Sequence, residues 1–343
     1  MIFIFIVSSF LGIALSLAVR KLASRWHIVD FPAKDRKLHA KPVPLLGGLA
    51  PYAAFFAVIF VLFYLKILPA NLFAPLKWMF LSSTIIMLGG FLDDKYVLPP
   101  KIQIIFPLAA IALTLWGGVR VHLITNPQGG ILYLGPAVSL AVSFFWLFAI
   151  TYTTKILDGL DGLVGGTVAL GALAIFLFTT LSNFKEISMA HISIALAGSF
   201  LGFLFLNFYP TPLRQGFAGQ AKLFLGEGGS LFAGFIFGAL AIMTGAKIAV
   251  SLMVFSLPLI DLIAVVLKRI IRNKPVFAGD RLHLHYILVD RGWKPRNVVF
   301  VYWGLAAVLG FASIFLPSSA KIITLAAILT IFFLVDMFGF KEK

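Results

Sequence analysis

The feature that most constrains this chain is repetition. Eleven apolar runs follow one another at short intervals, at about 2–19, 45–65, 78–92, 102–117, 135–153, 163–181, 189–207, 229–244, 248–267, 298–316 and 322–338. Each approaches the roughly 20 residues that a helix needs to cross hydrocarbon. Where no water reaches the backbone, a spanning segment is either a helix or a strand of a closed barrel. Barrel strands are short and alternate with period two, whereas these runs are longer and apolar throughout. The chain therefore reads as all-α, a polytopic integral membrane protein of about eleven transmembrane helices forming one membrane domain over residues 1–343. A mean hydropathy of +1.03 overrides the two soluble domains that length alone would suggest. Glycines and prolines inside several runs point to tilts and kinks.

Charge then sets an orientation. Arg20 and Lys21 follow the first apolar run instead of preceding it, which argues against a cleavable signal peptide. The positive-inside rule puts the N-terminus outside and the first loop in the cytoplasm. Threading eleven spans from there leaves 22 of the 28 Lys and Arg on the cytoplasmic side, the C-terminus included. The expected location is the inner, cytoplasmic membrane. The net charge of +15 is accounted for by this orientation and by attraction to anionic lipid, so nucleic acid is not called for. With no cysteine, thiolate catalysis, disulfides and thiolate metal sites are excluded. A homodimer stays open.

Of thirteen Asp and Glu, ten fall on the cytoplasmic side: Asp30, Asp35, Asp93, Asp94, Asp158, Asp161, Glu227, Asp280, Asp290 and Glu342. Glu186 lies outside, and Asp261 and Asp336 fall within spans. Acids contribute little to topology, so their one-sidedness asks for another cause, and a polar site at the cytoplasmic face supplies one.

Five clusters make up that face. The first loop, VDFPAKDRKLHAKPVPLLGGLA, carries Lys34, Arg36, Lys37, His39 and Lys41 before a glycine pair. It suits either a topogenic basic loop or an anion-binding one. In GGFLDDKYVLPPKIQ, the neighbours Asp93 and Asp94 repel unless a cation is near; Lys95 is the plain partner and Mg²⁺ or Mn²⁺ the sharper one. In DGLDGL, Asp158 and Asp161 share one face if that turn is helical, with Gly159 and Gly162 leaving room beside them. LFLGEGGS sets Glu227 among glycines at the mouth of a span, where exposed amides suit phosphate and a carboxylate suits metal. DRLHLHY, after a basic stretch with Lys268 and Arg269, places His283 and His285 where phosphate or sugar contact is better served than Zn²⁺. A basic membrane-surface segment is the plain reading of that last stretch. Hard oxygen ligands, cations and glycine-lined space together are what a Mg²⁺-dependent phosphoryl-transfer site needs.

In order and wording these motifs, from Asp30 to Gly292, resemble the polyprenyl-phosphate N-acetylhexosamine-1-phosphate transferase family. The branch they resemble is the one that starts O-antigen, common-antigen and wall teichoic acid synthesis. The matches are D-x-P with RKxH and PxPxxGG at 30–48, DDKYVLPPKIQ at 93–103, DGLDGL at 158–163, Asn207, LFLGEGGS at 223–230, PLID at 258–261 and DRLHLHY at 280–286. The resemblance implies transfer of a sugar-1-phosphate, GlcNAc-1-phosphate or another HexNAc-1-phosphate, from a UDP-sugar to undecaprenyl phosphate with release of UMP. It implies catalytic roles for Asp93, Asp94, Asp158 and Asp161, and a cation on Asp94, Asp158 and Glu227. It implies substrate contacts from Lys37, His39, Lys101, Lys155, Asn207, Arg269, Asp280, Arg281, His283 and His285. Direct attack by the lipid phosphate and a covalent aspartyl intermediate are both open, and direct attack is favoured because metal and fixed charge supply most of the stabilisation.

Four departures stand out. Tyr152 and Lys155 replace two asparagines, Glu227 replaces an aspartate, Tyr286 replaces the last histidine of H-x-H-H, and an insertion surrounds TPLRQGFAGQ. HLHY resembles that form more than the consecutive histidines of the branch using a UDP-muramyl-pentapeptide donor. A transporter or lipid-binding relative without chemistry would carry its ionisable groups nearer mid-bilayer. The crowding of acids at one face favours the enzyme.

Overall fold

The computed structural model describes residues 1–32, 41–126, 130–181, 185–208, 221–245, 248–275 and 281–334. Its helices, in chain order, are α1 (Ile2–Arg25), α2 (Leu49–Tyr64), α3 (Phe73–Tyr96), α4 (Pro100–Gln103), α5 (Ile105–Trp116), α6 (Pro136–Leu157) and α7 (Leu163–Leu181). They continue with α8 (Ile187–Asn207), α9 (Gly226–Met243), α10 (Ile248–Val254), α11 (Ser256–Ile271), α12 (Leu284–Asp290), α13 (Pro295–Phe315) and α14 (Ser318–Leu334). Seven helices are long and apolar enough to cross a membrane, the turn Ala70–Leu72 counting with α3. A bent pair, α10 with α11, forms an eighth crossing if taken as one span. Three shorter apolar helices, Leu49–Tyr64, Pro100–Trp116 and Ser318–Leu334, account for the remaining apolar runs. The protein is thus an all-α, multi-pass membrane protein.

The structure refines three expectations. The first helix runs on to Arg25, past the apolar limit at residue 19, since backbone bonding does not stop where hydrocarbon ends. The ninth run is not one helix but two, meeting at 75°. Pro258 explains the break: it has no N–H, and its ring clashes with the carbonyl four residues earlier, that of Val254, where α10 stops. Two antiparallel ribbons also appear. One pairs β1 (Val29–Asp30) with β2 (Val43–Pro44), and the other pairs β3 (Leu123–Thr125) with β4 (Ile131–Tyr133).

Packing between helices relies on small residues, as expected where lipid tails remove the hydrophobic incentive for helices to associate. Gly12 of α1 lies against Ser199 and Gly202 of α8, and Gly198 against Ser8. Helices α8 and α9 form the centre, with Phe200, Phe203, Phe232, Phe235 and Phe237 fully buried. Helix α9 is flanked by α3 and α6, and α7 by α8 and α13. Helices α3 and α9 approach closely where Gly90 and Gly228 face each other with no room for a Cβ on Gly90. That contact brings the end of α3 to the start of α9, and with them Asp94 and Glu227.

Candidate active site

Alternation of the helices gathers the motif-bearing ends on one side of the bundle. A short backbone ladder holds the first-loop glycines to LFLG. Phe224 N–H donates to the Pro44 carbonyl (2.9 Å), Gly47 N–H to Phe224 (2.9 Å) and Gly48 N–H to Leu225 (2.8 Å). Gly226 then turns with φ +77°, a conformation costly for residues with a Cβ, and a side chain there would also meet the Asp94 carboxylate. The turn aims the next N–H outward, so Glu227 N–H donates to Asp94 Oδ1 (3.0 Å). This sets a carboxyl acceptor at a helix N-terminus, where a free amide and the positive end of the helix dipole meet it.

Asp93 is held separately. Its Oδ1 accepts from Leu98 N–H (2.7 Å) and from Gln103 Nε2 (2.9 Å), and the same Nε2 reaches the Leu98 carbonyl (2.8 Å). Lys155, at the end of α6, donates to Gln103 Oε1 (3.2 Å) and forms an ion pair with Glu227.

DGLDGL is a turn between α6 and α7, not the helical turn that would have put both acids on one face. Gly162, with φ +82°, offers its N–H to Asn207 Oδ1 (2.7 Å), while Asn207 Nδ2 donates to the Leu223 carbonyl (3.0 Å). Asn207, expected to touch substrate, thus ties DGLDGL to LFLGEGG. Asp161 accepts from Ala221 N–H (3.1 Å). Asp158 has no hydrogen-bond or ion-pair partner among the described residues. Its side chain is solvent-accessible yet as densely surrounded as an interior group, which marks the wall of a cleft. Burial, then the charges of Glu227, Asp161 and Asp94, push its carboxyl well above the usual range. A cation in the cleft would reverse that direction.

The histidine segment closes one side. Asp261 of α11 accepts from His283 Nδ1 (2.9 Å) and Leu284 N–H (2.9 Å), anchoring α12 at its start. His285 is completely buried, stacked between His283 (5.9 Å between ring centres) and Tyr286 (4.2 Å). Neither of its ring nitrogens has a partner among the described residues. Burial, then the charges of His283 and Arg281, lower its pKa to about 3, so it is neutral. Gly159 lies against both Tyr286 and His285 Nε2, which puts α12 on the DGLDGL turn. Burial and the nearby Asp158 raise the Tyr286 hydroxyl. Arg281 pairs with Asp290 and lies over the Tyr286 ring (5.0 Å).

The structure therefore brings together Asp93, Asp94, Asp158, Asp161, Lys155, Asn207, Glu227, His283 and His285. Lys101 is exposed on α4, and Arg269 is buried near the end of α11. Lys37, His39 and Asp280 lie outside the described residues. Gln103 and Asp261 were not singled out from sequence as working residues. Both stand in quoted motifs, DDKYVLPPKIQ and PLID, but a glutamine and an acid inside an apolar run reveal their partners only once folded.

No three His, Asp or Glu side chains among the described residues stand together as a metal cage. Glu227 is engaged by Lys155, and Asp94 by the Glu227 amide. Mg²⁺, however, keeps waters and commonly takes one or two carboxylates plus substrate phosphates. The open Asp158, with three more carboxylates near enough for their charges to be felt, fits that pattern.

A helical membrane bundle that collects carboxylates, an ion-paired lysine and buried histidines at one end is a membrane enzyme scaffold suited to phosphate chemistry. The glycosyl transferase family 4 model matches residues 76–245, which hold DD, DGLDGL and LFLGEGGS. A phospho-N-acetylmuramoyl-pentapeptide-transferase of Halalkalibacterium halodurans is 30% identical over 311 residues, covering 82% of this chain and 86% of that one. A probable undecaprenyl-phosphate N-acetylglucosaminyl 1-phosphate transferase of Bacillus subtilis is 27% identical over 323 residues, 92% of this chain and 84% of its own length. A decaprenyl-phosphate N-acetylglucosaminephosphotransferase of Mycobacterium tuberculosis is 28% identical over 341 residues, 90% and 82%. The chain belongs to glycosyl transferase family 4.

Proposed function

We propose that this protein transfers a HexNAc-1-phosphate, GlcNAc-1-phosphate foremost, from a UDP-sugar to undecaprenyl phosphate at the cytoplasmic face of the inner membrane, releasing UMP. The observation that carries the reading is the meeting of Asp93–Asp94, DGLDGL and Glu227 at one end of the bundle. Relatives named for this reaction on polyprenyl phosphates align over most of the chain. The excess of Lys and Arg on the loops at that end supports a cytoplasmic site, an outer N-terminus and an inner C-terminus.

Under this reading an oxygen of the lipid phosphate attacks the phosphorus that bears the sugar. The bond from that phosphorus to the bridging oxygen breaks, and UMP leaves with the electron pair. Asp93 takes the proton of a lipid phosphate that arrives monoprotonated, through Oδ2, since Oδ1 already accepts two donors. Fixed amides and the Lys155 ammonium are already oriented when charge shifts, so little reorganisation is needed. Neutral His285 is suited to hydrogen-bonding the donor's phosphate or sugar. Mg²⁺, held by Asp158 together with substrate phosphates, would offset the charge on the transferring group.

A second reading, transfer from a UDP-muramyl-pentapeptide, is favoured by the 30% identity to a protein named for that activity. A donor panel with purified protein, undecaprenyl phosphate and Mg²⁺ decides, following UMP and lipid product. UMP release with UDP-GlcNAc is expected. Turnover with the muramyl donor alone would move the assignment to the second reading, and silence with every UDP-sugar would sink the transferase.

A further inference from the structure

Three departures from the family's wording meet in one place. Lys155 pairs with Glu227 and lies 5.9 Å from the centre of the Tyr152 ring. The pair is only partly open to water, with side chains 27% and 19% exposed. Among the described residues Lys155 has one further polar contact, its bond to Gln103 Oε1 (3.2 Å).

The chemistry of these groups gives the network a direction. An ammonium only donates, and an ionised carboxylate only accepts. Gln103 stands between one of each and can serve both only one way round. With Oε1 toward Lys155, Nε2 must face Asp93 Oδ1 (2.9 Å) and the Leu98 carbonyl (2.8 Å). Lys155 supplies the donor at the oxygen end of the amide, and Asp93 Oδ1 with the Leu98 carbonyl the acceptors at the nitrogen end, so both ends together fix one orientation. If the amide were reversed, two oxygens would face each other at Asp93 and two donors at Lys155.

We propose that Lys155 is a positioning residue that orients Asp93 through the Gln103 amide, with Glu227 holding Lys155 in place. The role of Asp93 as proton acceptor rests on the transferase reading; the directionality of the network does not. The outcome is that Asp93 Oδ1 accepts two donors, which makes Oδ2 the oxygen that would take the proton.

Reversing the pair is the decisive test. Lys155→Glu with Glu227→Lys keeps opposite charges across the same gap, so a purely structural bridge would survive. The carboxylate at position 155, however, can only accept, so Gln103 Oε1 loses its donor, and the amide either faces that carboxylate with its oxygen or turns away from Asp93 and the Leu98 carbonyl. The expected result is a melting temperature close to wild type with kcat down by roughly 100-fold, the scale of a misplaced catalytic group. KM for the donor should change far less. Lys155→Arg, which keeps the donor, should recover most of kcat.

A second readout needs no turnover. Leu98 N–H donates to the same Asp93 Oδ1 that Gln103 holds (2.7 Å), so hydrogen exchange at the Leu98 amide, read by mass spectrometry, reports whether Asp93 keeps its orientation. Exchange should speed up in the reversed pair. It should also speed up in Gln103→Leu, which leaves the ion pair alone and serves if the double variant does not fold. Wild-type kcat in the reversed pair, or unchanged Leu98 exchange in both variants, overturns the proposal. Should wild type turn over no donor, the transferase reading fails, while Leu98 exchange still decides whether Lys155 and Gln103 orient Asp93.

Discussion

Replacing Gly90 by alanine adds one methyl group where α3 and α9 touch through their backbones. A Cβ at this position would fall on the Cα and N of Gly228. Carbon atoms settle at about 3.5–4.0 Å, so the helices must part by more than about 1 Å or tilt against each other. Asp94 lies four residues on, over the next turn of α3, and Glu227 is the neighbour of Gly228. The bond from Glu227 N–H to Asp94 Oδ1 is 3.0 Å, and a further ångström breaks it by any geometric standard. Overpacking costs about 1–3 kcal/mol, and loss of a hydrogen bond about 0.5–1.5 kcal/mol. Gly90→Ala should therefore lose about 1.5–4.5 kcal/mol of stability, and misplacing the two carboxylates should lower kcat roughly 100-fold. Tryptophan-fluorescence melting in detergent reads the first and UMP release the second. Gly304→Ala is the control, since nothing lies within 4 Å of a Cβ there. A Gly90→Ala protein that melts with wild type and keeps its kcat would refute the account of how α3 and α9 set the site.

Other expectations follow from the same geometry. Asp158→Asn should abolish UMP release, as should Asp94→Asn. Removing the Asp158 charge should leave melting at or above wild type, because burial and like-charged neighbours disfavour that carboxylate. Mn²⁺ binding followed by EPR should weaken with Asp158→Asn, and unchanged binding would remove Asp158 from the cation site. His285 gives a pH signature of known sign. Its folded pKa of about 3 lies below the ordinary value near 6.5, so between those limits the unfolded chain binds the extra proton. Stability should therefore fall as pH drops from about 6.5 toward 3, by at most about 1.4 kcal/mol per pH unit from this group. His285→Gln should flatten that slope in melting curves taken across pH, and an unchanged slope would mean that His285 is already protonated or exposed.

Much of the architecture could be read in advance because bilayer physics leaves a chain few options. Each apolar run had to become a helix, and the crowding of Asp93, Asp158 and Glu227 into connecting segments already pointed to a polar site at one end of the bundle. What stayed hidden depends on contacts between residues far apart in sequence. Sequence alone offers Lys155 a donor phosphate or an acid as its partner, and only the packing of α6 on α9 shows that the acid is Glu227, more than seventy residues away. Gln103 reads as an ordinary loop glutamine, and only the fold shows that it connects a donor to an acceptor. Asp261 reads as an acid stranded in a span, whereas the break before Pro258 turns its helix so that it can hold His283. The Asp158–Asp161 spacing suggested a helical face, but the positive φ of Gly162, held by Asn207, makes the segment a turn.

The alternation of the helices gives the molecule unequal tolerance at its two ends. Asp94, Lys155, Asn207 and Glu227 all ride on the last or first turn of a helix, so their bearing around the cleft is an angular phase set along its whole length. One residue inserted upstream of Asp94 within α3 would swing it by about 100° and advance it about 1.5 Å, enough to face it away from Glu227. The same residue inserted between β3 and β4, at the far end, leaves every phase untouched. Variation in loop length is thus expected to be free at that end, and at the cleft end only where no helix terminus carries a working charge.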